Sequence, residues 1–119
     1  MTWQALSIEE LQSLLSSDLA ECSEQEQWLF SKSQIVPARW RLSPWGDAGG
    51  GFWAVAVLED RVLWYNDIEE GFNVSRFVAS GRIPNSEYWC NQDSLRDALR
   101  LLRGESGLRL GPPEPVREL

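Results

Sequence analysis

Two neighbouring apolar stretches constrain the fold most strongly, because each is rich in β-branched and aromatic residues and only a short polar connection separates them. They are Phe52–Leu58 and Val62–Tyr65, and the connection contains Glu59 and Asp60. This composition and spacing are typical of a β-hairpin. Because apolar residues occupy both sets of alternating positions, we expect both faces of the sheet to be covered.

A two-residue turn at this connection predicts the register of the hairpin. It places Val57 opposite Val62 and Val55 opposite Trp64. In that register one face of the hairpin carries Trp53, Val55, Val57, Val62 and Trp64, and the other carries Ala54, Ala56, Leu63 and Tyr65. A three-residue turn would exchange the cross-strand partners without changing which faces are apolar.

Local signals near the amino terminus predict helix. Ser7 and Glu10 have the spacing of a capping box, and apolar residues then recur at helical intervals. Ser23 and Glu26 repeat the capping signature, which indicates a second short helix. That helix would continue into Trp28–Phe30, although the same three residues could equally begin a strand.

Further strands are predicted in the middle of the chain. Ile35–Leu42 is interpreted as an edge strand, because Pro37 argues against a helix interior and apolar residues alternate with polar ones. Another strand is expected around Val74–Ala79, and one more near Ile83 or Tyr88.

A carboxy-terminal helix completes the predicted architecture. Asp93 is its expected N-cap, Ser94–Arg103 its body and Gly104 its end. The sequence therefore predicts one α+β domain over residues 1–104, with an antiparallel sheet of about four to five strands flanked by an amino-terminal and a carboxy-terminal helix. Residues 105–119 are rich in proline, and we expect them to form a loosely ordered tail.

Negative charge is concentrated at the front of the chain, whose net charge over 119 residues is −7. The acidic residues that precede the first basic residue, Lys32, are Glu9, Glu10, Asp18, Glu21, Glu24 and Glu26. Such a surface repels phosphate backbones, which argues against nucleic acid as a partner. It suits either a solvated surface or a docking face for a basic protein.

No apolar run approaches the length needed to cross a bilayer, and no basic segment precedes an apolar one near the amino terminus. We therefore expect neither membrane attachment nor export, and we expect a cytoplasmic location. In that compartment Cys22 and Cys90 would stay reduced.

The absence of histidine removes the usual general base and the usual zinc ligand. Cys22 and Cys90 lack the spacing of a metal knuckle, so we expect neither a metal nor a cofactor. Cys90 precedes the last predicted helix, whose dipole could activate a thiol, but inert packing is its expected role. The stretch Gly46–Gly51 leads into a strand rather than a helix, which indicates a hairpin connection and not a phosphate-binding loop.

The best candidate site is the polar stretch that follows the second hairpin strand. Its carboxylates and amides resemble the oxygen ligands of calcium or magnesium, although their spacing does not match an EF-hand. Asp67 with Glu69 or Glu70 could alternatively serve as an acid and base pair. Tryptophans beside loops could contribute a surface for a cationic partner. The candidate binding residues are Trp45, Tyr65, Asn66, Asp67, Glu69, Glu70, Asn73 and Trp89.

These observations favour a small, acidic, non-enzymatic binding protein that engages a basic macromolecular partner, as immunity or inhibitor proteins do. The alternative is a small-molecule or cation-binding domain, or a carboxylate-based enzyme, that uses the loop from Asp67 to Glu70. A third hypothesis is a scaffold that forms oligomers through its tryptophans.

Overall fold

A four-stranded antiparallel sheet forms the centre of the structure, a computed structural model that describes residues 4–104. The strands are β1 (Gln34–Trp40), β2 (Phe52–Leu58), β3 (Arg61–Asn66) and β4 (Gly71–Arg76), and they are neighbours in chain order. The predicted α+β class with an antiparallel sheet is confirmed. The additional strand expected near Ile83 or Tyr88 is not formed, because that stretch contains a 3₁₀ turn at Asn85–Glu87. Residues 105–119, the predicted tail, lie outside the described residues.

Three helices are formed in the described part of the chain: α1 (Ile8–Ala20), α2 (Glu24–Ser33) and α3 (Leu95–Arg103). Both capping boxes are present, since the hydroxyls of Ser7 and Ser23 accept from the N–H groups of Glu10 and Glu26. The segment Trp28–Phe30 is therefore helical. No helix within residues 4–104 is long and apolar enough to cross a membrane.

The cap of α3 corrects one expectation. Its N-cap is Ser94, whose Oγ accepts from the N–H of Asp97 at 3.4 Å. Asp93 is instead tied to the sheet, because its carbonyl accepts the N–H of Phe72 at 2.9 Å. Gly104 ends the helix as predicted, with a φ of 104° that suits glycine.

The register of the hairpin agrees with the prediction next to the turn and departs from it further along. Val57 pairs with Val62 as expected, but Trp64 pairs with Ala54 rather than with Val55. Val55 is the extra residue of a β-bulge, which shifts every earlier residue of β2 to the opposite face. The predicted grouping of Trp53 and Val55 with Val62 is therefore wrong.

The two faces of the sheet are both covered, as predicted. The three helices cover one face and form the first core, which includes Leu11, Leu15, Phe30, Val55, Ala56, Leu63, Phe72, Val74, Leu95, Ala98, Leu99 and Leu102. The connecting segments cover the other face and form the second core, which contains Trp40, Leu42, Phe52, Ala54, Val62, Trp64, Ile83 and Tyr88.

The two edges of the sheet are treated differently. The outer strand β1 is an edge strand, as predicted, and Pro37 lies where its register with β2 is irregular. The outer side of β4 is covered by residues 85–93, which we call the closing segment. It pairs with β4 through the bridge between Phe72 and Asp93. Except for Trp45, the candidate site residues lie on β3, on β4, in the turn between them or in the closing segment.

Candidate functional site

Asn66 ends β3 and holds the turn that connects it to β4. Its Oδ1 accepts from the N–H groups of Ile68 and Glu69 at 3.1 and 3.2 Å, which is the geometry of an Asx turn. Its Nδ2 donates to the carbonyl of Trp89 at 3.0 Å. The side chain is fully buried, so its polar groups serve the turn and the closing segment.

Asn73 joins β4 to the closing segment in the same way. Its Nδ2 donates to the carbonyl of Asn91 at 2.9 Å, and its Oδ1 accepts the N–H of Asn91 at 3.0 Å. Two residues along the strand, the buried hydroxyl of Ser75 donates to the carbonyl of Glu87 and accepts from the indole of Trp64. Side chains of β4 therefore replace the backbone pairing that a fifth strand would supply.

Asp67 holds the amino-terminal segment against the sheet. Its Oδ2 accepts the N–H of Leu6 at 2.7 Å. The Leu6 carbonyl accepts from the Trp53 indole at 2.7 Å and from the Arg39 guanidinium at 3.2 Å. Burial raises the pKa of the Asp67 carboxyl, an effect that its hydrogen bonds and Arg39 oppose. The raised pKa thus has a structural cause.

The aromatic candidates lie on different sides of the sheet. Tyr65 belongs to the first core, where its ring makes an edge contact with Phe72, and burial together with Glu70 raises the pKa of its hydroxyl. Trp45 lies on the opposite face, stacked on Tyr88 with ring centroids 4.1 Å apart. The structure therefore does not bring Tyr65 and Trp45 into one pocket.

The remaining candidates lie around the turn. Glu69 is half-buried and its carbonyl accepts from Gln92, whereas Glu70 is exposed with a φ of 59°. Trp89 is half-buried, and its indole donates to Glu87 at 3.4 Å. Within residues 4–104, no group of three or more acidic or cysteine side chains is placed to hold a metal ion.

The acidic residues of the amino-terminal helices divide into two kinds. Asp18 and Glu26 have structural roles: Asp18 accepts the N–H of Leu95, and Glu26 is buried beside Arg96 and Arg100 at 3.4 and 3.8 Å. The pKa of Glu26 is lowered, first by its bond to the backbone of Ser23 and also by the two guanidinium groups. The exposed acidic residues of α1 and α2 are Glu9, Glu10, Glu21 and Glu24.

Trp28 is one of the tryptophans that the sequence-based site omitted. It lies on α2 with 62% of its surface exposed, whereas Trp40 and Trp64 are buried. With Glu24, Gln25, Leu29 and Arg103 it lines an open cleft of about 440 Å³, which we call the Trp28 cleft. The ammonium of Lys32 stands 5.1 Å from the centroid of the Trp28 ring.

Helical spacing accounts for this exposure. The residues of α2 that are buried, Glu26, Phe30 and Ser33, recur at helical intervals. Trp28 lies two residues from Glu26, about 200° around the helix, and so points away from the buried side. The burial of Glu26 and Phe30 on a helix therefore implies an exposed indole at Trp28.

The cysteines and the glycine-rich stretch have structural surroundings. The thiol of Cys22 donates to the carbonyl of Asp18 at 3.4 Å, and Cys90 is half-buried. Burial, followed by nearby carboxylates, raises the pKa of both thiols. The stretch Gly46–Gly51 connects β1 to β2 as predicted and is closed by bonds from Gly49 and Gly51 to the carbonyl of Gly46.

Neither a family model, nor a curated protein, nor a solved structure matches this chain.

Proposed function

We propose that this chain is a non-enzymatic binding protein that engages a basic macromolecular partner through α2 and the end of α1. The docking surface is the Trp28 cleft together with the exposed carboxylates of Glu21 and Glu24, and we call it the acidic helical face. The exposure of Trp28 is the observation that carries the proposal. A large indole left 62% exposed on a helix contributes nothing to the core and suits an interface.

The negative charge of this surface favours a positively charged partner. Glu21 and Glu24 are both exposed, and Glu24 lines the cleft beside the indole. A cationic side chain that lies against an aromatic ring and next to a carboxylate gains from both contacts. Arg103 forms the other border of the cleft, so the Glu24 side is the favourable position for a guest cation.

Lys32 of the same helix already makes a cation–π contact with Trp28. Its ammonium already stands over the Trp28 ring at 5.1 Å, and both residues are exposed. A lysine or arginine of the partner can compete with Lys32 for the same ring. Removal of Lys32 should therefore strengthen binding of a cationic peptide, because it frees the ring and also removes a positive charge.

The acidic turn after β3 has less to offer a partner. Asn66 and Asn73 are buried with their amides bonded to the main chain, and Asp67 binds Leu6. Glu70 is an exposed carboxylate there, but the turn lacks an exposed aromatic neighbour comparable to Trp28. These contacts favour the acidic helical face over the turn within the described residues.

Calorimetric titration with a deca-arginine peptide tests the proposal. We expect Trp28→Ala to weaken binding about tenfold, because an interfacial tryptophan often contributes more than ~1.4 kcal/mol. Glu21→Gln with Glu24→Gln should weaken it about two- to tenfold, and Lys32→Gln should strengthen it. Binding should decline at high salt, since the charges are exposed.

A matched control removes two exposed carboxylates elsewhere. Glu59 and Glu70 lie in the β-turns and outside the Trp28 cleft, so Glu59→Gln with Glu70→Gln changes the net charge equally. That control should retain wild-type affinity within about twofold. Equal loss in the control and the Glu21 and Glu24 variant would mean that only net charge matters, and the proposal would be wrong.

A further inference from the structure

Two arginines meet on the side of the molecule where the segment after β1 runs beside the residues that precede the closing segment. Arg41 and Arg82 form an isolated parallel bridge. The Arg41 N–H donates to the carbonyl of Gly81 at 3.0 Å, and the Arg41 carbonyl accepts the N–H of Ile83 at 2.8 Å. The backbone therefore fixes the two arginines as direct neighbours.

The buried residues that follow Arg41 and Arg82 in the chain show which way the arginine side chains point. Leu42 and Ile83 belong to the second core and are almost completely buried, whereas Arg41 and Arg82 are exposed. Because neighbouring residues in extended segments point to opposite sides, the two guanidinium groups share the outer side. They line one cleft of about 300 Å³ with Ser43, Ile83, Pro84 and Asn85.

No carboxylate of residues 4–104 forms an ion pair with either arginine of this cleft. Both ion pairs formed within residues 4–104 involve Glu26, so neither Arg41 nor Arg82 takes part in one. Two like charges on paired residues are unfavourable. The arrangement is unexpected in a chain with a net charge of −7, which has more carboxylates than basic side chains.

We infer that this cleft binds a phosphate monoester dianion. The two guanidinium groups that line the cleft offer several N–H donors and two positive charges, and the side-chain amide of Asn85, which also lines it, offers a neutral donor. A phosphate monoester has a charge of about −1.5 to −2 at neutral pH and three peripheral oxygens. The site is independent of the acidic helical face.

The carboxylate of Asp47 lowers the affinity of the cleft for phosphate. Its carboxylate accepts the hydroxyl of Ser43 at 2.9 Å, so the Ser43 proton is already engaged and a negative charge stands next to the cleft. Replacement of this carboxylate by an amide removes a repulsion toward the bound dianion. Asp47→Asn should therefore bind phosphate more tightly than the wild-type chain does.

The test is a titration of the whole chain with inorganic phosphate at neutral pH, followed by the amide signals in two-dimensional NMR spectra. We expect saturable shifts in residues 41–43 and 82–85 with a millimolar dissociation constant. Arg41→Gln and Arg82→Gln should each weaken binding about tenfold or more, because each removes a charge-assisted pair. The control Arg76→Gln, which removes an exposed arginine outside the cleft, should change it less than about twofold.

Titration with acetate is the second part of the test, because acetate also presents oxygen acceptors but has a single negative charge. It should bind about tenfold more weakly than phosphate. Equal binding of acetate and phosphate would overturn the dianion assignment. Shifts that rise linearly to about 50 mM phosphate, or an equal effect of Arg76→Gln, would overturn the site itself.

Discussion

Replacement of Asn73 by alanine tests whether the buried amides are part of the fold. The sequence placed Asn73 among the candidate ligands, whereas the structure buries it to 1% exposure between β4 and the closing segment. Alanine preserves the strand but removes both polar groups of the side chain. The N–H and the carbonyl of Asn91 then lose the bonds of 3.0 and 2.9 Å that they make with Asn73.

The expected cost follows from those two groups. A buried backbone group left without a hydrogen bond costs about 1–3 kcal/mol, so two of them amount to roughly 2–6 kcal/mol. Partial entry of water lowers this cost, and we expect a loss of about 3 kcal/mol in the free energy of unfolding. That is a large fraction of the ~5–15 kcal/mol typical of a domain.

Urea unfolding followed by tryptophan fluorescence measures this loss. The midpoint should fall while the slope stays the same, because the change alters stability and not the surface exposed on unfolding. The exposed Asn85 provides a control, since Asn85→Ala should change stability by less than about 0.5 kcal/mol. If Asn73→Ala is as stable as this control, the amide does not hold the closing segment and the reasoning fails.

Three other substitutions or reactions examine the packing and the charges. Gly71→Ala should destabilise the fold by several kcal/mol in the same assay, because its Cβ would lie 2.3 Å from the Cα of Gln92; a stable variant would refute the close approach. The pKa of Glu26 is lowered from its usual 4.5, so the ionised carboxylate stabilises the fold above that pH. The difference in unfolding free energy between wild type and Glu26→Gln, measured at a series of pH values, should therefore shrink below pH 4.5. Burial raises the thiol pKa of Cys22 and Cys90, so iodoacetamide should modify both more slowly in the folded chain than in urea, and equal rates would contradict their burial.

The parts of the fold that local chemistry determines were predictable from the sequence. Ser7 with Glu10 and Ser23 with Glu26 form the capping boxes that the spacing indicates. The Val57–Val62 pair follows from the short turn alone. Each of these features depends on residues that are close in the chain, so no knowledge of tertiary contacts was needed.

The features that were missed depend on contacts distant in the chain. The bulge at Val55 lies where the register of β2 shifts against both β1 and β3. No residue pattern near Val55 in the sequence predicts it. Asn73 has a structural role because the backbone of Asn91, 18 positions later in the chain, lies next to it and binds its side chain. A polar residue at the end of a strand has the same appearance in a sequence whether it binds a ligand or the main chain.

The candidate site shows the same division between local and distant information. The sequence identified negative charge near the amino terminus but could not separate Glu26, which pairs with α3, from the exposed Glu24. It also left the segment around Trp28 open between helix and strand. In a helix Trp28 and Phe30 lie about 200° apart, so the burial of Phe30 places the indole on the outer side.

The most direct test of the proposed docking surface is to map where a cationic peptide binds. Deca-arginine added to the isotopically labelled chain should shift the indole N–H signal of Trp28, assigned with Trp28→Phe, together with the amides of Glu21 and Glu24. The amides of the turn from Asn66 to Glu70 should remain in place. Shifts that appear in that turn while the Trp28 indole stays unchanged would contradict the account.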